Sequence, residues 1–111
     1  MRDVNYFINK FEAIPENAWI TGDLLDPETG ACCALGHCGV RESKDEGNPK
    51  FRGGWVFTDE SDDLISLFGG SDDLVWFIND SRSNGRADGS TPKERILNYL
   101  YEVRKENEVN V

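Results

Sequence analysis

Ser61-Asp62-Asp63-Leu64-Ile65-Ser66-Leu67-Phe68-Gly69-Gly70-Ser71-Asp72-Asp73-Leu74-Val75-Trp76-Phe77-Ile78-Asn79-Asp80 is the stretch that decides the fold class. Leu64, Ile65, Leu67 and Phe68 recur at helical spacing, and so do Leu74, Val75, Phe77 and Ile78. Thr58 or Ser61 caps the first helix, Gly69-Gly70 stops it, and Ser71 caps the second. Carboxylates follow each serine, where the positive end of the helix dipole favours them. The Ser-Asp-Asp-Leu pairs at 61–64 and 71–74 lie too close together for a repeat architecture, so helix-start chemistry is their common cause.

Working outward, Val4, Phe7, Ile8 and Phe11 after Asp3 predict a capped helix over 4–13, ended at Ile14-Pro15. Ala18-Trp19-Ile20-Thr21 reads as extended, and Asp26-Pro27-Glu28-Thr29-Gly30 as a turn. The expected arrangement is a short ribbon of Trp19–Leu25 against residues 31–33, lying on helices because two strands alone are marginal. Cys33 to about Arg41 begins a helix whose Gly36 and Gly39 permit close backbone approach. Arg41 to Arg52 reads as a polar loop, and Trp55-Val56-Phe57 as a strand or a buried anchor. Residues 79–90 form a turn-rich loop in which Asn79 and Asp80 bond the backbone or frame a polar pocket with Trp55 or Trp76. Thr91-Pro92-Lys93-Glu94 starts a last helix with Thr as cap, Pro at the first position and Glu closing a capping box. The expected fold class is α+β, a mostly helical single domain over 1–111 with a short β ribbon and a frayed tail at 106–111.

With 38% hydrophobic residues in 111 positions, the chain has apolar surface for one modest core. No apolar run reaches the length of a membrane span, and Met1-Arg2-Asp3-Val4 begins no signal-peptide core, so a soluble, cytoplasmic protein is expected. A net charge of −9, with 21 acidic against 12 basic residues, disfavours direct nucleic-acid binding and docking on an anionic membrane. It suits a basic protein partner. Oligomeric state is not legible.

The three cysteines and the single histidine fall within Cys32-Cys33-Ala34-Leu35-Gly36-His37-Cys38. An odd count with two adjacent residues argues against a disulfide framework. As a nucleophile pair, Cys33 and His37 share a helix face, with Asn79 as a candidate third member. As a metal set, Cys32, Cys33, His37 and Cys38 supply zinc-type donors, but neighbouring cysteines on a helix diverge. As packing, cysteine is a small hydrophobe at a helix start and His37 a satisfied polar residue. The packing reading is preferred; no cofactor is expected, and catalysis is disfavoured. Asp80-Ser81-Arg82-Ser83-Asn84-Gly85 is no calcium loop, since Arg82 stands at a ligand position and no terminal Glu follows.

Between Arg52 and Arg82 there is no Lys or Arg, while Asp59, Glu60, Asp62, Asp63, Asp72, Asp73 and Asp80 fall in that window. These carboxylates predict an uncompensated anionic face on the two helix starts, which would attract cationic surfaces. Solvated capping residues are the plainer alternative.

Trp19 with Gly22, Cys33-Ala34-Leu35-Gly36, Asn79-Asp80 and the capped last helix together resemble an uncharacterised family of small bacterial and phage proteins. Its signature is Cys-Ala-Leu-Gly followed later by Asn-Asp. The resemblance implies one small domain and is silent on activity, and this chain departs from it at Cys32, His37-Cys38 and the acidic 59–73 window. The expected function is a non-catalytic binding protein of a phage or mobile element. It would occupy the basic surface of a host nucleic-acid-handling or defence protein through Asp59, Glu60, Asp62, Asp63, Asp72 and Asp73, in an anti-CRISPR-like manner. The alternatives are a thiol-dependent enzyme or small-ligand site on Cys33, His37 and Asn79, and a zinc-stabilised domain.

Overall fold

Two helices at opposite ends of the sequence form the centre of the molecule. In the computed structural model, which describes residues 1–80 and 89–109, α1 (Val4–Glu12) packs along α5 (Pro92–Val109). Val4, Phe7, Ile8 and Phe11 are the buried stripe of α1, as their spacing requires. They meet Ile96, Tyr99, Leu100 and Val103 of α5, and the Phe68 ring stacks on Tyr99 with centroids 4.2 Å apart. Fully burying side chains of this size contributes roughly 2 kcal/mol each, so this cluster dominates the favourable side of folding.

Helix starts follow the sequence closely. Asp3 Oδ1 accepts from the Tyr6 amide, and Ser71 caps α4 (Asp72–Asn79) by accepting from Leu74. Thr58, not Ser61, caps α3 (Asp59–Leu67); Ser61 closes a capping box by accepting from the Thr58 amide. At α5, Thr91 accepts from Glu94 as expected, but the Glu94 carboxylate turns back to the amide and hydroxyl of Ser90. The last helix continues through Val109. The turn-rich 79–90 segment and the dismissed calcium loop lie mostly outside the described residues.

The sheet is not where the sequence places it. Trp19–Leu25 and 31–33 make only isolated bridges, Trp19 with Cys32 in parallel and Leu25 with Cys32 antiparallel. The ladder is instead β1 (Arg41–Glu42), β2 (Phe51–Arg52) and β3 (Trp55–Val56), all antiparallel in the order β1-β3-β2. Two of these strands fall in the polar 41–52 segment read as loop, because strands of two residues carry no periodicity. Gly53 and Gly54, at φ +59° and +90°, form the two-residue hairpin between β2 and β3 that demands positive φ at both positions. The architecture is a mostly helical α+β fold with this small sheet at one side.

Candidate interaction site

The helix expected from Cys33 to Arg41 is a single turn, α2 (Ala34–His37). Cys33 occupies its N-cap and makes no side-chain cap bond, because a thiol is a poor acceptor. The missing cap comes from α4. Asn79 Oδ1 accepts from the Ala34 amide at 3.1 Å, and Asn79 Nδ2 donates to Ile20 O at 2.9 Å and to Asp80 Oδ1 at 3.0 Å. Asp80 Oδ1 also accepts from the Gly22 amide at 3.1 Å. Asn79 is 1% exposed. The Cys-Ala-Leu-Gly and Asn-Asp segments therefore meet as a latch: one buried amide ties α4, α2 and the 20–22 segment together. Trp55 and Trp76 pack on each other, 5.0 Å between centroids, rather than framing a pocket with Asn79. Gly36 is required by proximity, since a Cβ there would lie 2.2 Å from Leu24 O.

Cys33, His37 and Asn79 do not assemble a reactive triad. Burial pushes the Cys33 thiol up to about 11 and raises Cys38 further, while the half-buried Cys32 is raised by the same cause. A thiol held protonated is not a nucleophile at neutral pH. The His37 ring is committed elsewhere: Nε2 lies 2.9 Å from Ala18 O, and the ring meets Trp19 edge-on at 4.7 Å. Burial lowers its pKa, so the neutral ring donating through Nε2 is the form that fits. Asn79 spends its amide on the latch. Among the described residues no three His, Cys, Asp or Glu side chains converge as metal ligands. Cys33 and Cys38 are each 1% exposed and pack in the hydrophobic core.

The acidic window divides into two halves with different surroundings. On α3 the carboxylates have cations that the sequence supplies from far away. Arg2 Nη1 bonds Asp63 at 3.0 Å, and Lys10 Nζ bonds Glu60 at 2.7 Å while the Tyr6 hydroxyl also donates to Glu60. Lys50 Nζ bridges Asp59 and Asp62 at 2.9 and 2.8 Å, and Arg52 reaches Asp62 at 3.2 Å. The Glu60 carboxyl is opposed by burial, yet the bonds from Lys10 and Tyr6 outweigh it and hold its pKa below the ordinary range. The Arg2 amide and guanidinium do the same for Asp63, and the Lys50 ammonium for Asp59. The expected anionic face is therefore neutralised at Asp59, Glu60, Asp62 and Asp63. Asp72 and Asp73 on α4 make no ion pair among the described residues.

The uncompensated carboxylates lie elsewhere. From Phe11 to Val40 there is no Lys or Arg, yet Glu12, Glu16, Asp23, Asp26 and Glu28 fall there. None of the five makes an ion pair among the described residues. The cation-free run was readable from the sequence and is as long as the acidic window itself. This segment contributes Asp23, Leu24, Leu25 and Pro27 to the lining of a half-open cleft of about 590 Å³, which Val40, Arg41 and Glu42 also line. Cys32, Gly36 and Gly39 complete it, and Leu25 is 49% exposed at its mouth.

No family model, curated protein or solved structure matches this chain. No helix among the described residues is long and apolar enough to cross a membrane.

Proposed function

We propose that this chain is a non-catalytic binding protein that engages the basic surface of a protein partner through carboxylates that make no ion pair among the described residues. The observation that carries the reading is the distribution of charge. At a net −9, the cations nearest α3 are spent on α3, while the carboxylates of the 12–28 segment, Glu42, Asp72 and Asp73 have no ion pair among the described residues. Unpaired surface carboxylates steer cationic partners and select against anionic ones such as nucleic acid and anionic lipid. The buried, protonated thiols favour this reading over a thiol enzyme. Proteins that handle nucleic acid present the most strongly basic surfaces available to such a partner. The specific form of the proposal is thus a phage or mobile-element inhibitor of a host nucleic-acid-handling or defence protein, anti-CRISPR-like in occupying a nucleic-acid surface.

The test is affinity capture from host lysate after nuclease digestion, followed by titration of the recovered partner at increasing salt. The reading expects a basic partner whose affinity falls steeply between about 0.05 and 0.5 M salt, as the Debye length shortens from over ten to a few ångströms. A partner that is acidic, or one held equally well across that range, rejects it.

A further inference from the structure

We propose that the cleft along β1 receives an extended cationic segment of the partner as an added strand. This rests on the binding reading above and names where and how the partner docks.

The hydrogen-bond phase of the sheet sets which groups of β1 face outward. Ser43 N donates to Gly54 O at 2.9 Å, and Phe57 N donates to Lys50 O at 3.0 Å. In antiparallel pairs bonded and non-bonded residues alternate. Ser43 and Gly54 being bonded, Arg41 and Val56 are bonded in turn and Glu42 with Trp55 is the non-bonded pair. The Glu42 N–H and C=O therefore point away from β3. β1 is an outer strand of the β1-β3-β2 order, so those groups face no strand.

The cleft takes in β1 and neither of the other strands: Val40, Arg41 and Glu42 line it, and no residue of β2 or β3 does. Leu24, Leu25, Pro27 and Cys32 give its lining apolar surface. An open strand edge beside an apolar trough is the geometry of strand addition: main-chain bonds give affinity, and pockets take alternate side chains.

Charge selects the occupant. Asp23 and Glu42 line the cleft, and Asp26 and Glu28 flank Pro27 on its outer turn, against Arg41 as the cation in the lining. None of these four carboxylates makes an ion pair among the described residues. An extended segment that alternates apolar and cationic side chains would place one set in the trough and the other among the carboxylates.

The probe is a blocked peptide of about eight alternating valine and lysine residues, long enough to exceed the two-residue edge. It is titrated into the full-length protein labelled with nitrogen-15. The expected result is saturable shifts at Glu42, Arg41, Leu25 and Cys32. The matching valine–glutamate peptide should bind at least about tenfold more weakly. Glu42→Pro removes the outward N–H and should weaken binding by about tenfold or more. Should Glu42→Pro disturb the fold, Asp23→Asn with Glu42→Gln keeps the edge and removes charge; it should weaken binding and flatten its salt dependence.

Shifts confined to Asp72 and Asp73 overturn strand docking but leave the acidic-surface reading intact. Equal binding of the valine–glutamate peptide overturns the charge argument and, with it, both readings. A salt-sensitive basic partner that binds Glu42→Pro and the double variant unchanged overturns the cleft alone. So does a small apolar compound that the peptide cannot displace from the purified protein.

Discussion

Replacing Asn79 with alanine tests whether one buried amide organises the middle of the molecule. The substitution removes the acceptor of the Ala34 amide and the donor to Ile20 O. Ala34 N–H stands at the first position of α2, where no intrahelical acceptor exists, and it is fully buried. Leaving such a group unsatisfied costs about 1–3 kcal/mol, and each lost bond about 1 kcal/mol net. Ile20 is only partly buried, so water can replace that partner and reduce its share. The expected destabilisation is about 3 kcal/mol. In urea, where domains of this size lose about 1–2 kcal/mol per molar, the midpoint should fall by about 2 M. Tryptophan emission is a suitable readout because Trp19 is buried close by. Asn79→Asp is the informative partner variant. It keeps an acceptor for Ala34 but sets a second carboxylate oxygen against Ile20 O and Asp80 Oδ1. It should be at least as unstable as Asn79→Ala near pH 7 and recover relative to wild type as pH falls toward 4. A loss under about 1 kcal/mol for Asn79→Ala would refute the latch.

The thiols should label in a fixed order: Cys32 reacts with iodoacetamide in the folded protein, while Cys33 and Cys38 react only after unfolding, as peptide mapping would show. Gly36→Ala should cost about 2 kcal/mol or more by thermal melting, because its Cβ would meet the Leu24 carbonyl, a backbone atom that cannot swing aside. Arg95→Met should destabilise by about 3 kcal/mol, since the buried guanidinium donates to Ile78 O and Asn79 O at the negative end of α4 and to Gly89 O. Acidification should reduce stability in two stages. His37 has a lowered folded pKa, so the unfolded chain takes up its proton first and stability declines as pH falls below about 6.5. Glu60 and Asp63 are also lowered, so their contribution persists above about pH 4.3 and disappears below it. His37→Gln should remove the first stage in urea titrations across pH and leave the second.

The four longer helices, α1, α3, α4 and α5, were legible in the sequence because each carries both a period and a cap. Asp3, Thr58, Ser71 and Thr91 all accept amides at their helix starts. The sheet was not legible, since two-residue strands such as Arg41–Glu42 have neither period nor apolar character. The extended Trp19–Leu25 segment misled for a related reason: its backbone bonds are real, including Ile20 N to Cys32 O, but they never build a ladder. The acidic face failed because sequence distance hides cations. Arg2, Lys10 and Lys50 lie outside the cation-free window yet reach into it in space. That Asn79 bonds backbone was readable, but its partner was not, because Ala34 is 45 residues away and the need for a cap arises only once Cys33 sits at the N-cap. Arg95 carries no sequence signal of burial and is 7% exposed.

The account depends on which carboxylates are available to a cationic partner. Two charge-neutralised proteins decide this: one carrying Asp23→Asn, Asp26→Asn, Glu28→Gln and Glu42→Gln, the other Asp59→Asn, Glu60→Gln, Asp62→Asn and Asp63→Asn. The net charge of both changes equally, so calorimetric titration with the valine–lysine peptide at low salt compares position alone. The account predicts that the first protein loses affinity by at least about tenfold while the second, if still folded by circular dichroism, binds as wild type does. Loss of binding in the second with retention in the first would contradict it.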